Sequence, residues 1–424
     1  MDSPRAKTGE GDFRRVRRPD GTEDYLVRLS LTRERVDSPR AKTGEGDFRR
    51  VRAPDVTETE GIVMAIFELM EEQGHEELAF CYYHEKNLKA IIAFHNTALG
   101  NAVGGTRLFN YKSEEEAISD ALDLSRIMTF QAAITGTDFG GGKVILIRDQ
   151  AEEGEADEAY FRALGRFIEG FKGRLVTYAD LGTDNRHMAH IARETSNVIM
   201  HRFYKSKSDE SAEITAQAVK WGMKACVKNL DGASTLEGMT VAIQGVGSVG
   251  SRLAELVIND GAKVVVSDLK YDNLKKVQDK FPDSRIVPPE DILSVECDIL
   301  SPCAIGPVIF PHNIDSLRCR IIAGAAYNIL SERRELAIKL HEKGILYAPD
   351  FVTNAGEMFL TQQALEIISE EEISDAVKKI YDIMADILTV SQKENIPPQR
   401  AVYQIASRRI NDVAKTKGIY SGLV

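Results

Sequence analysis

The chain has 424 residues, 43% of them hydrophobic and 28% charged, a globular balance with apolar material for two or three domains. No apolar run reaches the ~18 residues a spanning helix needs, and the start of the chain lacks an apolar signal core; membrane insertion and secretion are both disfavoured. The formal net charge is −11, yet the first 53 residues hold 14 basic and 10 acidic side chains, so the acidity lies in the body and argues against a nucleic-acid-binding face.

The five cysteines (Cys81, Cys226, Cys297, Cys303 and Cys319) are odd in number and have no CxxC spacing. They read as reduced thiols of a cytoplasmic protein, with no metal site expected. Residues 2–17 and 37–52 are the same sixteen letters, DSPRAKTGEGDFRRVR. Two copies are too few for a solenoid, and the composition predicts a largely disordered basic arm over 1–55.

The body opens with helical spacing over Thr57–Gln73, followed by strand-like runs at Leu78–Tyr83 and Leu88–His95. Ser113 with Glu116 three residues later has the form of a capping box, and Ala117, Ile118, Ala121, Leu124 and Met128 continue at helical spacing. GTDFGGGK then reads as a polar glycine turn before the strand VILI. A helix over Glu158–Phe171, a strand at Leu175–Thr177 and its exit at Tyr178–Thr183 complete this half. The rhythm then changes. A long helix over Ile214–Leu230 precedes the strand Thr240–Gln244, the helix Val249–Asp260 and the strand Lys263–Ser267. Short strands follow near Arg285–Val287, Ile299–Leu300, Arg320–Ala323 and Leu346–Tyr347, an alternation that predicts a parallel, doubly wound sheet. Apolar stripes at Ile373–Gln392 and Gln399–Val413 predict a terminal helix pair that packs back on the first domain.

Gly245-Val246-Gly247-Ser248-Val249-Gly250 stands directly after a strand and directly before a helix. In that setting the first glycine permits the turn, the second admits a pyrophosphate and the third lets helix lie on strand. The helix N-terminus offers free N–H groups to phosphate. Asp268, at the end of the next strand, is placed to bond ribose hydroxyls and repel a 2′-phosphate, which favours NAD over NADP. A turn that only packs, with Asp268 as a helix cap, is the other reading.

Lys143 follows three glycines. It is either a solvated lysine after a flexible loop or one pressed into a cleft by backbone that only glycine adopts; in the second case desolvation lowers its pKa and fits it for proton transfer. Asp180 sits on a strand exit, where turn-formers and cleft residues both occur.

GGTRLFNY (104–111), MTFQAAITGTDFGGGK (128–143), ADLGT (179–183), EITAQAVKWGMKA (213–225), LEGMTVAIQGVGSVG (236–250), ECDILSPCAIG (296–306), IIAGAAYN (321–328) and ILYAPDFVTNAG (345–356) occur in one order. Over about residues 60–415 the chain resembles the leucine/phenylalanine/valine dehydrogenases of the wider glutamate dehydrogenase superfamily. The resemblance implies a two-domain α/β fold: an α/β substrate domain, and a Rossmann-type doubly wound dinucleotide-binding domain. The expected division is an arm at 1–55, a catalytic and oligomerisation domain at 56–205, the NAD-binding domain at 206–350 and returning helices at 351–424. It implies NAD-dependent oxidative deamination of an apolar L-amino acid by a homo-oligomer. Lys143 and Asp180 fall on the family's catalytic lysine and its acid/base aspartate. Thr215 and Asn354 match residues near the nicotinamide carboxamide, and Gly105 matches the backbone of the substrate loop.

The departures concern the substrate. Gln131 stands where the family has a lysine for the α-carboxylate, Tyr327 replaces a carboxylate-side asparagine, and Gly356-Glu357 replaces Gly-Gly. The glycine-rich segment before the Thr215 helix is FYKSKSDESAE here. They raise two further readings: an oxidoreductase on an amine or ketone lacking the α-carboxylate, and a non-catalytic NAD-binding homologue. Lysine restored at position 131 is expected to lower KM for an α-amino acid, because a charged hydrogen bond is roughly twice as strong as a neutral one.

Overall fold

The computed structural model describes residues 66–148, 157–199 and 209–417, and the backbone of two short strands nearer the N-terminus. The rest of 1–55, the start of the helix expected from Thr57, and residues 203–208 lie outside the described residues. In chain order, β1 (Arg14–Arg17) and β2 (Glu23–Leu26) precede α1 (Ile66–Gln73), β3 (Glu77–Tyr83), β4 (Leu88–Phe94), β5 (Ala102–Phe109), α2 (Glu114–Thr135) and β6 (Gly140–Ile147). Then come α3 (Glu158–Glu169), β7 (Leu175–Ala179) and α4 (Asn185–Ile191).

These strands form one sheet of order β1-β2-β3-β4-β6-β5-β7, antiparallel from β1 to β6 and parallel across β6, β5 and β7. β1 and β2 depart from the disorder expected of 1–55: the open edge of β3 offers unpaired backbone groups, and β2 takes them at Tyr25–Tyr82 and Leu26–Cys81. In β4, Ile91 and Ala93 face α2, while Ala90, Ile92 and Phe94 face Phe161, Leu164 and Ile168 of α3 and Met188 and Ile191 of α4. Alternate side chains thus meet helices on both faces, which is why the strand reads as an unbroken apolar run.

The glycines of GGGK are strand residues of β6, contrary to the polar turn that their composition suggests. None of the three has a positive φ. Their reason is close approach: a Cβ at Gly141 would overlap Ser125 O and Thr129 of α2. β5 carries Gly104-Gly105, and a Cβ at Gly104 would overlap Gly142 O of β6. Ser113 caps α2 by accepting from Glu116 N at 3.2 Å, but Glu116 reaches back to Lys112 N, one residue before the N-cap, so only half of the capping box forms.

The second half comprises α5 (Asp209–Asp231), β8 (Thr240–Gln244), α6 (Ser248–Asn259), β9 (Lys263–Ser267), α7 (Tyr271–Lys280), β10 (Arg285–Ile286), β11 (Ile299–Pro302) and β12 (Ile321–Ile322). α8 (Arg333–Glu342) and β13 (Leu346–Tyr347) complete it. Its six strands are all parallel, in the order β10-β9-β8-β11-β12-β13. Counting from β8, that is the 3-2-1-4-5-6 order of a dinucleotide-binding sheet.

α9 (Asp350–Thr353), α10 (Gly356–Ala364), α11 (Ile373–Glu394) and α12 (Pro398–Lys417) close the chain. α11 lies along α5 and α12 along α2, and Arg409 of α12 donates to Thr137 O at 2.8 Å just past α2. One apolar cluster runs from β4 and α2 through α12 and α11 to α6 and β8. Among the described residues no helix is long and apolar enough to cross a membrane.

Candidate active site

Lys143 and Asp180 are separated by 37 residues and brought together by the sheet. β5 lies between β6, which carries Lys143, and β7, whose exit carries Asp180. Lys143 Nζ donates to Asp180 Oδ2 across β5 at 2.6 Å. The bond passes over Gly105, where a Cβ would lie 2.7 Å from Asp180 Cβ and 3.4 Å from Lys143 Nζ. A side chain at 105 would therefore force the pair apart.

Arg107, on the same strand as Gly105, had no counterpart in the sequence reading. Its Nε donates to Asp180 Oδ2 at 2.9 Å and its Nη1 to Asp120 Oδ2 of α2 at 3.1 Å, while Tyr111 OH donates to Asp120 at 2.5 Å. Asp180 N donates to Thr183 Oγ1 and Thr106 O, which fixes the turn after β7. Burial alone would raise the Asp180 carboxyl, but Lys143 and Arg107 outweigh it and hold the group well below the usual carboxylate range. Burial lowers the Lys143 ammonium, opposed by Asp180. The result is a carboxylate held in its ionised form beside an amine whose charged form burial disfavours.

At the carboxyl end of β8, Gly245 has φ +85° and a Cβ there would come 2.9 Å from Ala304. Gly247 faces open space, and a Cβ at Gly250 would overlap Gly245 O, so α6 starts hard against the end of β8. Val246, Ser248 and Val249 complete the turn, with Ser248 and Val249 opening α6. Asp268 accepts from Val246 N at 2.9 Å and Asn273 Nδ2 at 3.2 Å through Oδ2, and from Lys270 N at 2.7 Å through Oδ1. It therefore ties the glycine turn to α7, and Oδ1 retains a lone pair for a further donor.

Thr215 and Asn354 are buried, 6% and 2% exposed, where α5 meets the start of α10. Asn354 Nδ2 has no partner, an orphaned donor of the kind a carboxamide oxygen satisfies.

Gln131 departs from the role of carboxylate ligand. It is 2% exposed, and its Nε2 donates to Phe351 O at 2.9 Å and to Asn354 Oδ1 at 3.1 Å. A primary amide has two N–H donors, and both are spent here on α9 and its exit. Tyr327, beyond β12, is half-buried; burial and the carboxylates of Glu357 and Asp180 raise its phenol well above the ordinary value. Glu357, in the first turn of α10, accepts from Ser211 Oγ at 2.8 Å; burial raises its carboxyl, and it feels the charges of both Asp180 and Lys143. His187 accepts from Asp184 N and closes the capping box of α4.

The family described as Glu/Leu/Phe/Val dehydrogenase, dimerisation domain, matches residues 78–197, and the glutamate/leucine/phenylalanine/valine dehydrogenase family matches 208–270 and 266–418. The leucine dehydrogenase of Thermoactinomyces intermedius is 41% identical over 84% of this chain and 96% of its own length. That of Geobacillus stearothermophilus is 40% identical over 84% and 95%. The crystal structure of L-tryptophan dehydrogenase from Nostoc punctiforme superposes with a TM-score of 0.71 at 35% identity, covering 82% of this chain and 99% of that one. The chain belongs to the glutamate/leucine/phenylalanine/valine dehydrogenase family.

Proposed function

We propose that the protein catalyses NAD-dependent oxidative deamination of an apolar L-amino acid to its 2-oxo acid and ammonia. The observation that carries this is the Lys143 Nζ–Asp180 Oδ2 contact of 2.6 Å, formed across Gly105 with Arg107 on the same oxygen. The Asp180 carboxylate, positioned by Arg107 and Lys143, accepts a proton from the substrate ammonium and holds the neutral amine for oxidation. Gly245–Gly250 and Asp268 would hold the pyrophosphate and ribose of NAD and Thr215 and Asn354 its carboxamide, and the bound nicotinamide would supply the hydride acceptor for the α-carbon. The resulting imine takes up water. Neutral Lys143 removes the water's proton, and its ammonium then stabilises the oxygen that develops charge. Asp180 returns a proton to nitrogen and ammonia leaves. One substrate ammonium, one NAD+ and one water thus give one carbonyl, one ammonium, one NADH and one proton.

The labour divides between residues 56–205 with the catalytic pair and residues 206–350 with the cofactor, closed by the helices of 351–424. Self-association through the first of these, which carries the match to a dimerisation domain, is part of the same proposal.

One observation favours a second reading. Both Gln131 donors are committed within the protein, so they leave an α-carboxylate without that ligand. An amine substrate needs none.

NADH absorbance near pH 9–10, roughly where a neutral amine is available, tests both readings with leucine, valine, phenylalanine and tryptophan beside their decarboxylated amines. Production of NADH from the amino acids is expected. Production only from the amines replaces the first reading by the second, and tight NAD binding without NADH from any substrate overturns both.

A further inference from the structure

Arg107 reaches the catalytic pair from β5 and is tied to more than Asp180. Alternation along the strand puts Arg107 on the face of Gly105, beside the bond that joins Lys143 to Asp180. Its guanidinium is held at two points: Nε donates to Asp180 Oδ2 at 2.9 Å and Nη1 to Asp120 Oδ2 at 3.1 Å. Asp120 belongs to the second turn of α2, and Tyr111, from the link between β5 and α2, donates its hydroxyl to the same Asp120 oxygen at 2.5 Å. One line of bonds thus runs from Tyr111 through Asp120 and Arg107 to Asp180.

A carboxylate that moves a proton must present one oxygen in a fixed direction. Among the described residues both side-chain donors to Asp180 fall on Oδ2, so Oδ1 is the oxygen turned away from them. Lys143 alone would leave the carboxyl free to turn; a second donor from a planar group, itself clamped at Asp120, stops that rotation. Asp120 also balances one of the two positive charges, so the arrangement supplies direction more than field. The shape of the guanidinium is what allows this: an ammonium places its donors at one point, whereas the gap between Asp120 and Asp180 needs a donor at each end.

We infer that Tyr111, Asp120 and Arg107 form one positioning unit for the reaction: they hold Asp180 with Oδ2 on Lys143 and Oδ1 toward the substrate nitrogen. This rests on the proposed deamination at Lys143 and Asp180. None of the three touches the reacting atoms. Arg107 acts through Asp180, and Asp120 and Tyr111 act by fixing the plane of Arg107.

Double-mutant cycles on the full chain test this, with NADH formation from whichever amino acid or amine is turned over fastest as the readout. Arg107→Ala should lower kcat about 10²-fold, the loss that a displacement of about 1 Å can cause, with NADH affinity unchanged. In an Asp180→Asn background the same change should cost less than about twofold, because the group it positions is already gone. Arg107→Lys keeps the charge but loses the fork, and should recover little of the rate. Tyr111→Phe removes one hydroxyl and leaves the ring; it should lower kcat several-fold alone and not at all beside Asp180→Asn, and it carries the test by itself if Arg107→Ala fails to fold. Losses that multiply in the double variants, or full activity in Arg107→Lys, overturn the positioning unit and leave the deamination reading intact. If the unaltered protein oxidises nothing, that reading fails by itself, and crystal structures decide the rest. Arg107→Ala, or Tyr111→Phe in its place, should then part Asp180 Oδ2 from Lys143, and a contact still at 2.6 Å sinks the proposal.

Discussion

Asp180 Oδ2 receives two cationic donors at once, from Lys143 and Arg107, and this explains why one carboxylate stays ionised in a largely buried place. Removing the charge while keeping the shape is the direct probe. Asp180→Asn should lower kcat by about 10²–10⁴, the usual range for a positioned acid or base, and leave NADH affinity unchanged. An equal loss in NADH binding would mean that the residue organises the fold instead of the reaction. Gly105→Ala should act on the same bond sterically. Its methyl would sit 2.7 Å from Asp180 Cβ, and a displacement of about 1 Å can cost 10²-fold in rate. At this scale the sequence was only partly legible. Lys143 stood out through its glycines, although they serve close packing and not a special backbone turn. Arg107 was missed because its partner lies 73 residues away. The available signal was a lone cation inside the otherwise apolar, small-residue run AVGGTRLF, where burial of a charge requires a partner.

Elements were easiest to read where one pattern ruled alone. β8 and β9 begin and end where TVAIQ and KVVVS do, because β-branched runs bounded by glycine and polar residues leave no competing period. β5 and the start of β6 were obscure, since glycines that allow close approach to α2, to neighbouring strands and to Asp180 look like loop. The same α2–β6 junction holds a titratable pair. His95 bonds Thr129 Oγ1 of α2 through Nδ1 at 2.8 Å and Gln73 O through Nε2 at 3.0 Å, and the ring of His75 stacks edge-on against it. Burial lowers His95 from 6.5 to about 3 and His75 from 6.5 to about 4. Both are neutral when folded, so the unfolded chain binds more protons below its own pKa of about 6.5. Stability should therefore be flat above about pH 7 and fall as the pH drops through 6.5 towards 4. Melting followed by circular dichroism should show Tm declining over that window. His95→Gln should start lower at pH 7.5 yet lose less on acidification; an equally steep decline would clear His95 of the effect.

At the scale of the molecule, the alternation of strands and helices disclosed the parallel sheet, and the two late apolar stripes disclosed helices that return to α2. Contacts between the halves were out of reach, because they join residues more than two hundred positions apart. Gln131 is the clearest case: from α2 it grips Phe351 O and orients Asn354, whose free Nδ2 is the orphaned donor of the proposed cofactor site. Two functions for position 131 lead to opposite results. A carboxylate ligand would make Gln131→Lys lower KM for an amino acid and leave NADH affinity alone. A brace between the halves would make Gln131→Leu strand two buried acceptors, at about 1–3 kcal/mol each, with a fall in Tm and several-fold weaker NADH binding. The second outcome is expected from the geometry, measured by NADH fluorescence titration and melting on the same preparations. A lower amino-acid KM in Gln131→Lys, with Tm and NADH affinity unmoved in Gln131→Leu, would return position 131 to the substrate.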